Sequence, residues 1–214
     1  ISSNMSVKTD SCFLEFTDKG IAGKISQHMT GYFAMNTHGI LNYYNEKDKE
    51  KYVRGQLSRG SNKFNLLDFQ VADKAGNNNL LALSAKFELQ DYARKIGDEW
   101  YLNLHLNKSY EHEEIDFPRR KMPVEFPYRF IYRYIIQLAI PEGYTVNQLP
   151  ESKSFRNAIW GFSIHYKQEG NIVTLSKEFY NNHLLLQPAD FKAWNEVLEQ
   201  LFPLYKESIC VSKK

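Results

Sequence analysis

Residues 128–140 read YRFIYRYIIQLAI, and this stretch decides the fold of the chain. Side chains of two kinds alternate along it with a period of two, which predicts a long β-strand that ends at Pro141. One face of the strand would carry Tyr128, Phe130, Tyr132, Tyr134 and Ile136, and the other would carry Arg129, Ile131, Arg133 and Ile135.

Strand patterns recur on both sides of this stretch. Alternating or apolar runs at residues 11–16, 64–73, 80–93 and 99–106 predict further strands, and the turn-forming residues 74–79 (KAGNNN) predict a turn between the second and third of these runs. Residues 158–180 predict a β-hairpin around the tight turn QEGN at 168–171. Aromatic residues make up 14% of the chain, and they favour strands.

Two segments change to helical spacing. Residues 38–60 predict one solvated amphipathic helix, with Thr37 as its N-cap and Gly60 at its end. Residues 187–202 predict a second helix that begins at Pro188 and ends or kinks at Pro203. Its apolar face would consist of Phe191, Trp194, Leu198 and Leu201. The following SICVS, residues 208–212, predicts a last edge strand.

These runs of strands and helices predict an α+β, β-rich fold, because a doubly wound sheet would need strict alternation. We expect an N-terminal β-α-β piece, then an antiparallel sandwich-like β domain with one packed C-terminal helix. A charged, proline-bearing segment around Ile115 places the boundary, which gives domains at residues 1–115 and 116–214.

The bulk composition limits the classes of function. The net charge of +2 is too balanced to indicate nucleic-acid binding. No window of about 18 apolar residues is present, so we expect no membrane insertion. Because position 1 is Ile rather than Met, we interpret the chain as a piece of a longer protein with a processed or trimmed start.

A specific order of segments suggests a family. PVEFPY (123–128), the long aromatic strand, AIPEGYTVNQLP (139–150), a hairpin with a Gly-Asn turn and QPADFKAWNEVLEQL (187–201) follow one another. This order resembles the C-terminal region of bacterial transglutaminase-like proteins, best over Phe117–Lys214. Taken alone, Pro141 and Gly143 predict a rigid corner between two strands.

The resemblance implies a three-part parent chain. Its parts would be an N-terminal β domain, a papain-like transglutaminase core and a C-terminal β-rich domain of unknown function. The core would lie upstream of Ile1 as a partner in the same chain, and the location would be extracytoplasmic, periplasmic or in the cell envelope. Residues 1–115 would be the segment that follows the core.

The chain offers no convincing catalytic triad. A transglutaminase-like core needs a Cys thiolate at a helix start, an imidazole base and an orienting carboxylate. Cys12 instead lies in a strand pattern, and Cys210 lies near the end. We therefore predict no catalytic residue and no cofactor. A stand-alone cysteine enzyme using Cys12 is a third hypothesis. The two cysteines either form a bridge or are two separate small apolar residues.

Metal sites are not predicted either. YEHEEID at 110–116 would place Glu111 and Glu113 on one face of a strand as ligands for Ca²⁺ or Mn²⁺, but we favour a solvated loop paired with Arg119–Lys121. DKAGNNN at 73–79 lacks the alternate acidic ligands of a calcium loop. The six histidines show no metal-ligand spacing.

The candidate ligand contacts are aromatic: Tyr128, Tyr132, Tyr134 and Trp160. The tyrosine stripe either packs in the core against the helix that carries Trp194, or contacts a glycan or peptide. Base stacking is disfavoured because the arginines lie on the other face. Two functions therefore remain. The first is a non-catalytic accessory region that buttresses the core or presents a peptide or glycan contact surface. The alternative is a carbohydrate- or peptide-binding β module using exposed aromatics.

Overall fold

The computed structural model describes residues 5–74 and 80–214, and strands dominate this part of the chain. In chain order the strands are β1 (Ser6–Thr17), β2 (Gly20–Met29), β3 (Phe64–Lys74), β4 (Leu80–Gln90), β5 (Arg94–Ile96), β6 (Glu99–Leu102), β7 (Val124–Glu125), β8 (Phe130–Ala139), β9 (Tyr144–Gln148), β10 (Lys153–Arg156), β11 (Trp160–Glu169), β12 (Ile172–Asn181), β13 (Leu185–Leu186) and β14 (Ile209–Lys213). The predicted aromatic strand is β8.

The strands form one large sheet and two smaller ones. The large sheet has eight strands in the order β10-β11-β12-β8-β1-β2-β4-β3. The second sheet has four, in the order β5-β6-β14-β9, and β13 pairs with β7 alone. β8 is parallel to β1, with Cys12 opposite Ile136, and antiparallel to β12. Because β1 precedes Ile115 and β8 follows it, the large sheet contains strands from both sides of the expected boundary.

The helices are α1 (Tyr32–Tyr43), α2 (Glu46–Leu57) and α3 (Phe191–Leu201). The prediction of a single helix over residues 38–60 is therefore wrong. The chain becomes helical earlier, at Tyr32, and it breaks at Tyr44 and Asn45. Asn45 caps α2, since its side-chain oxygen accepts a hydrogen bond from the Asp48 amide at 3.1 Å. The predicted N-cap Thr37 is a buried residue inside α1.

α3 and its surroundings follow the sequence pattern closely. A 3₁₀ turn at Pro188–Asp190 precedes α3, and another at Phe202–Lys206 follows it around Pro203. The four residues of the predicted apolar face are all buried. β14, however, is not the edge strand that the sequence predicted, because it pairs with β6 on one side and with β9 on the other.

The hairpin and the corner are also confirmed. β11 and β12 pair antiparallel, and Gly170 in their turn has a φ of 59°. After β8, the Tyr144 amide donates to the Pro141 carbonyl at 3.1 Å while Gly143 adopts a φ of 79°. This corner carries the chain from the large sheet into the second sheet. β3 and β4 pair as expected; the predicted turn at 75–79 lies outside the described residues.

One face of the large sheet is covered and the other is open to solvent. On the covered face, Phe33 of α1 packs on Phe130 and Tyr132, Trp194 of α3 stacks on Trp160, and Trp100 of the second sheet contacts Phe16. On the open face, Phe13, Ile135 and Gln137 are exposed. This arrangement confirms the predicted α+β, β-rich class. Within residues 5–74 and 80–214, none of the helices has the length and apolar character needed to span a bilayer.

Candidate functional site

Trp160, one of the four predicted contact residues, lies inside the core. Its side chain is 0% exposed and stacks on Trp194 with ring centroids 4.2 Å apart. The indole Nε1 donates to the Trp194 backbone carbonyl at 3.2 Å, so its polar atom is satisfied internally. In this position the ring joins the large sheet to α3, and a ligand cannot reach it.

Tyr134 is also buried. Its hydroxyl shares a hydrogen bond of 2.8 Å with the Ser109 hydroxyl, and its ring packs edge-on against Phe179. Burial raises the pKa of Tyr134 well above its ordinary value. Tyr134 therefore lies in the core, but the helix that packs on the tyrosine stripe is α1, through Phe33, rather than the predicted helix that carries Trp194. The arginines lie on the opposite face as expected, where Arg133 pairs with Glu178 at 2.6 Å.

Tyr128 and Tyr132 are half-buried, and Tyr128 lies at the surface beside a residue that the sequence did not single out. Its ring is parallel to that of Tyr32, with centroids 5.3 Å apart and planes 6° apart. Tyr32 is 51% exposed. The two rings line a groove of about 440 Å³. The other lining residues of this tyrosine groove are Met5, Ser6, Gly31, Pro127, Arg129 and Leu184.

The large sheet also buries an ion pair. The Arg59 Nη1 donates to both carboxylate oxygens of Asp10 at 2.6 Å, and each side chain is 2% exposed. Gln27 adds a hydrogen bond to Asp10 at 3.2 Å. The Arg59 Nε donates to the Leu57 carbonyl at 2.7 Å, where α2 ends. The guanidinium therefore satisfies a C-terminal helix carbonyl and a strand carboxylate together, which fixes α2 on β1.

Lys177 on β12 is a second buried cation, only 2% exposed. Its ammonium donates to the Asn107 backbone carbonyl and lies 4.6 Å from the ring centre of Tyr134 and 5.0 Å from that of Tyr205. Burial lowers the pKa of Lys177 to about 7, against the attraction of Asp10. Aromatic faces and one carbonyl thus take the place of a direct carboxylate partner.

His105 lies next to this cation. Its ring packs edge-on against Tyr205, and its Nε2 is 3.0 Å from the Tyr166 hydroxyl. Burial, followed by repulsion from Lys177 and Lys108, lowers the pKa of His105 to about 3. The imidazole is therefore neutral at physiological pH and acts as a hydrogen-bonding core residue.

The two cysteines are separate, free and buried. The Cys12 thiol lies 3.8 Å from a carboxylate oxygen of Asp10 and 3.9 Å from the Arg59 guanidinium. Burial raises the pKa of Cys12 to about 12, although Arg59 opposes the shift. A catalytic thiol needs the opposite shift, toward the thiolate at neutral pH.

The acidic segment YEHEEID does not form the strand that a metal site would have required. Glu111 and Glu113 lie in turns and irregular backbone, with Lys108 3.7 Å from Glu111. Asp116 pairs with Arg119 at 3.5 Å, as in the solvated-loop interpretation. In residues 5–74 and 80–214, no three metal-binding side chains cluster together.

Sequence reasoning missed Tyr32, Asp10, Arg59, Lys177 and His105. Two of them left a recognisable signal, because a charged residue interrupts an inward-facing apolar row. Asp10 precedes Cys12 and Leu14 at a spacing of two, and Lys177 stands between Leu175 and Phe179. Arg59 and Tyr32 lie just outside any strand, and only the folded chain brings them to their partners.

No curated protein matches the chain. Among solved structures, the chain resembles the crystal structure of "a putative protease from Parabacteroides distasonis ATCC 8503", with 11% sequence identity and a TM-score of 0.45. The similarity covers 57% of this chain and 24% of that one, so the chain spans about a quarter of the length of that structure.

A family model covers the second half of the molecule. Residues 98–211, more than half of the chain, match the model described as "Domain of Unknown Function with solved-structure structure (DUF3858)". The match includes β6, β8, β9, β11, β12 and β14 together with α3, and hence His105, Trp160 and Lys177. The chain therefore belongs to the DUF3858 family.

Proposed function

We propose that this chain is a non-catalytic accessory region of a bacterial transglutaminase-like protein. It buttresses a papain-like core that lies upstream of Ile1 in the same parent chain, and it works in an extracytoplasmic compartment, the periplasm or cell envelope. It needs no cofactor, and neither nucleic acid nor a membrane interior is its partner. The ordered segments between Pro123 and Leu201, which resemble the C-terminal region of such proteins, support the proposal.

The observation that carries this proposal is that the reactive side chains are buried and have their partners inside the protein. Asp10 and Arg59 hold α2 on β1, and Lys177 is enclosed by aromatic rings. Cys12, the thiol nearest to these groups, has a pKa raised to about 12 by burial. Groups that are desolvated and hydrogen-bonded in this way belong to the core, whereas a nucleophile needs access and an activated state.

Two experiments test the accessory role. The isolated chain is assayed for peptide hydrolysis and crosslinking, and its native thiols are titrated with iodoacetamide near neutral pH. We expect no activity and slow labelling that becomes fast on unfolding. Turnover by the isolated chain that disappears in Cys12→Ala would overturn the proposal.

The second experiment uses the parent protein with and without residues 1–214. We expect the core to keep its chemistry after truncation and to unfold at a lower temperature, because it has lost its support. A parent reading frame that lacks a papain-like core upstream of Ile1 would contradict the proposal directly.

The tyrosine groove favours a second candidate function, a carbohydrate- or peptide-binding module. The parallel rings of the exposed Tyr32 and the half-buried Tyr128 offer flat apolar faces to a sugar or a peptide side chain, and Arg129 adds a cation at the rim. The predicted contact Tyr128 belongs to this groove, whereas the buried Trp160 and Tyr134 do not.

The second candidate is tested by titrating the chain with oligosaccharides and short peptides by calorimetry. We expect Tyr32→Ser and Tyr128→Ser to weaken any binding by at least about tenfold, or 1.4 kcal/mol. Tyr43→Ser is the matched control, because Tyr43 also lies on α1 but is 87% exposed and outside the groove. An equal loss in the control, or no heat with any ligand, would rule out this function.

A further inference from the structure

The large sheet ends in a strand whose outer edge has no partner among the described residues. β3 pairs with β4 only. A strand in this position presents backbone N–H and C=O groups that can accept another strand. Its first part is disturbed, because the register shifts between Leu66 and Asp68 and the Arg54 guanidinium donates to the Leu66 carbonyl at 3.1 Å. The regular edge begins at Asp68.

A groove of about 310 Å³ runs beside this edge. Its apolar lining comes from α1, α2, β3 and β4: Leu41, Val53, Phe69, Val71 and Leu81. Charged side chains of α2, among them Glu46, Lys49 and Glu50, form its rim. Val71 is 42% exposed although it lies on the face that is otherwise covered by helices.

The two faces of β3 differ in chemistry along this edge. Phe69 and Val71 are paired with Ala85 and Leu83, which are buried, and they reach the groove. Gln70, between them, is paired with Ser84 and lines the open face of the sheet. An added strand would therefore meet an apolar pocket on one side and water on the other, which is the pattern of an extended peptide with alternating apolar residues.

The length of the edge favours a short peptide, rather than a second copy of the chain, as its partner. From Asp68 to Lys74 the regular edge of β3 spans seven residues, or about 24 Å. Seven backbone positions suit a short peptide, whose main-chain hydrogen bonds supply much of the affinity. A stable dimer needs a total buried area of about 1,200 Å² or more, which so short an edge does not provide by itself.

We propose that the edge of β3 from Asp68 to Lys74, with the groove between β3 and the α1–α2 pair, binds an extended peptide strand carrying apolar side chains at alternate positions. The peptide extends the large sheet by one strand. One row of its side chains enters the pocket formed by Leu41, Val53 and Val71. This site lies on a different part of the molecule from the tyrosine groove and does not depend on the accessory role.

The test uses a fluorescein-labelled nonapeptide of alternating valine and threonine with a lysine at each end, titrated with the chain by fluorescence anisotropy. We expect saturable binding below about 1 mM. The same peptide with N-methylated amides at alternate positions keeps its side chains but loses backbone donors, and we expect it not to bind.

Val71→Lys places a charge in the groove and should weaken binding at least tenfold, or about 1.4 kcal/mol. Gln70→Lys adds the same charge to the same strand on the open face and should leave the affinity unchanged. Thermal unfolding of both variants confirms that they stay folded. Absence of binding at about 1 mM, or equal losses in the two lysine variants, overturns the proposal. Dimerisation of the chain that Val71→Lys abolishes overturns it in favour of a second copy.

Discussion

The two halves of the large sheet bury charge in different ways. Under the α1–α2 pair, Arg59 meets Asp10 through two hydrogen bonds of 2.6 Å and also bonds to the end of α2. Beside Asn107 and Tyr205, Lys177 on β12 has no carboxylate within hydrogen-bonding distance among the described residues. It is surrounded by rings and a backbone carbonyl, and neutral His105 is nearby.

The buried cations of the two regions differ in their structural role. A helix pair must be tied to the sheet, and a paired guanidinium provides several fixed hydrogen bonds for that purpose. The second region is already held by aromatic packing, so its cation adds little and titrates near neutrality instead. Loss of a charge partner in the first region should therefore lower the free energy of unfolding. In the second region the free energy of unfolding should depend on pH.

The largest effect is expected from Arg59→Met. This change leaves the Asp10 carboxylate buried and without its cation, and it should lower the free energy of unfolding by about 3–5 kcal/mol. Urea denaturation followed by circular dichroism measures the loss. Lys49→Met is the control, because Lys49 pairs with Glu46 at the surface and should change stability by less than about 0.5 kcal/mol.

Removal of both the Asp10 and the Arg59 charge tests whether the unpaired carboxylate causes this loss of stability. The double variant Asp10→Leu with Arg59→Met should be more stable than Arg59→Met alone by about 2 kcal/mol or more, since the Asp10 carboxylate no longer lies buried without its guanidinium. A double variant as unstable as the single one would mean that Arg59 acts mainly through its bonds to the carbonyls of α2.

Much of the fold could be predicted because it depends on local patterns. The period-two alternation in β8, the Gly170 turn and the spacing of Phe191, Trp194 and Leu198 each survive in the structure. The corner at Pro141–Gly143 was equally local, since it depends on turn chemistry within a few residues.

What could not be predicted depends on distant partners. The parallel pairing of β1 with β8 joins segments about 120 residues apart. The sequence of neither strand indicates which strand it pairs with. The Asp10–Arg59 pair spans 49 residues. The aromatic residues predicted as ligand contacts were ambiguous for the same reason, because alternation places Tyr134 on a face without showing what covers that face.

The next effect concerns Lys177→Met. Below about pH 7 the lysine is protonated in both states, so the wild-type protein bears the full cost of a buried ammonium. The variant should then be more stable by about 1–4 kcal/mol. Between pH 7 and the ordinary value of 10.5, only the unfolded state binds the proton. Wild-type stability rises there by at most about 1.4 kcal/mol per pH unit, and the advantage of the variant shrinks.

Urea denaturation at about pH 6 and about pH 9 measures this difference. Lys167→Met, which removes an exposed ammonium from the neighbouring β11, should keep the wild-type pH profile. A Lys177→Met variant that is less stable than the wild type at both pH values would show that the aromatic rings hold the cation favourably, and the contrast with Arg59 would disappear.

The smallest effect is expected from His105→Phe, and it appears on the acid side. The folded-state pKa of about 3 lies below the ordinary 6.5, so between these values only the unfolded state binds the proton and wild-type stability falls as the pH falls. Above pH 6.5 the variant should be less stable by about 1 kcal/mol, because Tyr166 loses its partner.

As the pH falls toward 3, the deficit of His105→Phe should close and reverse, since phenylalanine has no proton to bind. His165→Phe, on the open face of the sheet, is the control and should follow the wild-type profile. In the Lys177→Met background the reversal should be weaker, because part of the repulsion that lowers the pKa of His105 is gone. An undiminished reversal there would mean that Lys177 does not contribute to the lowered pKa of His105, and that the two groups titrate independently.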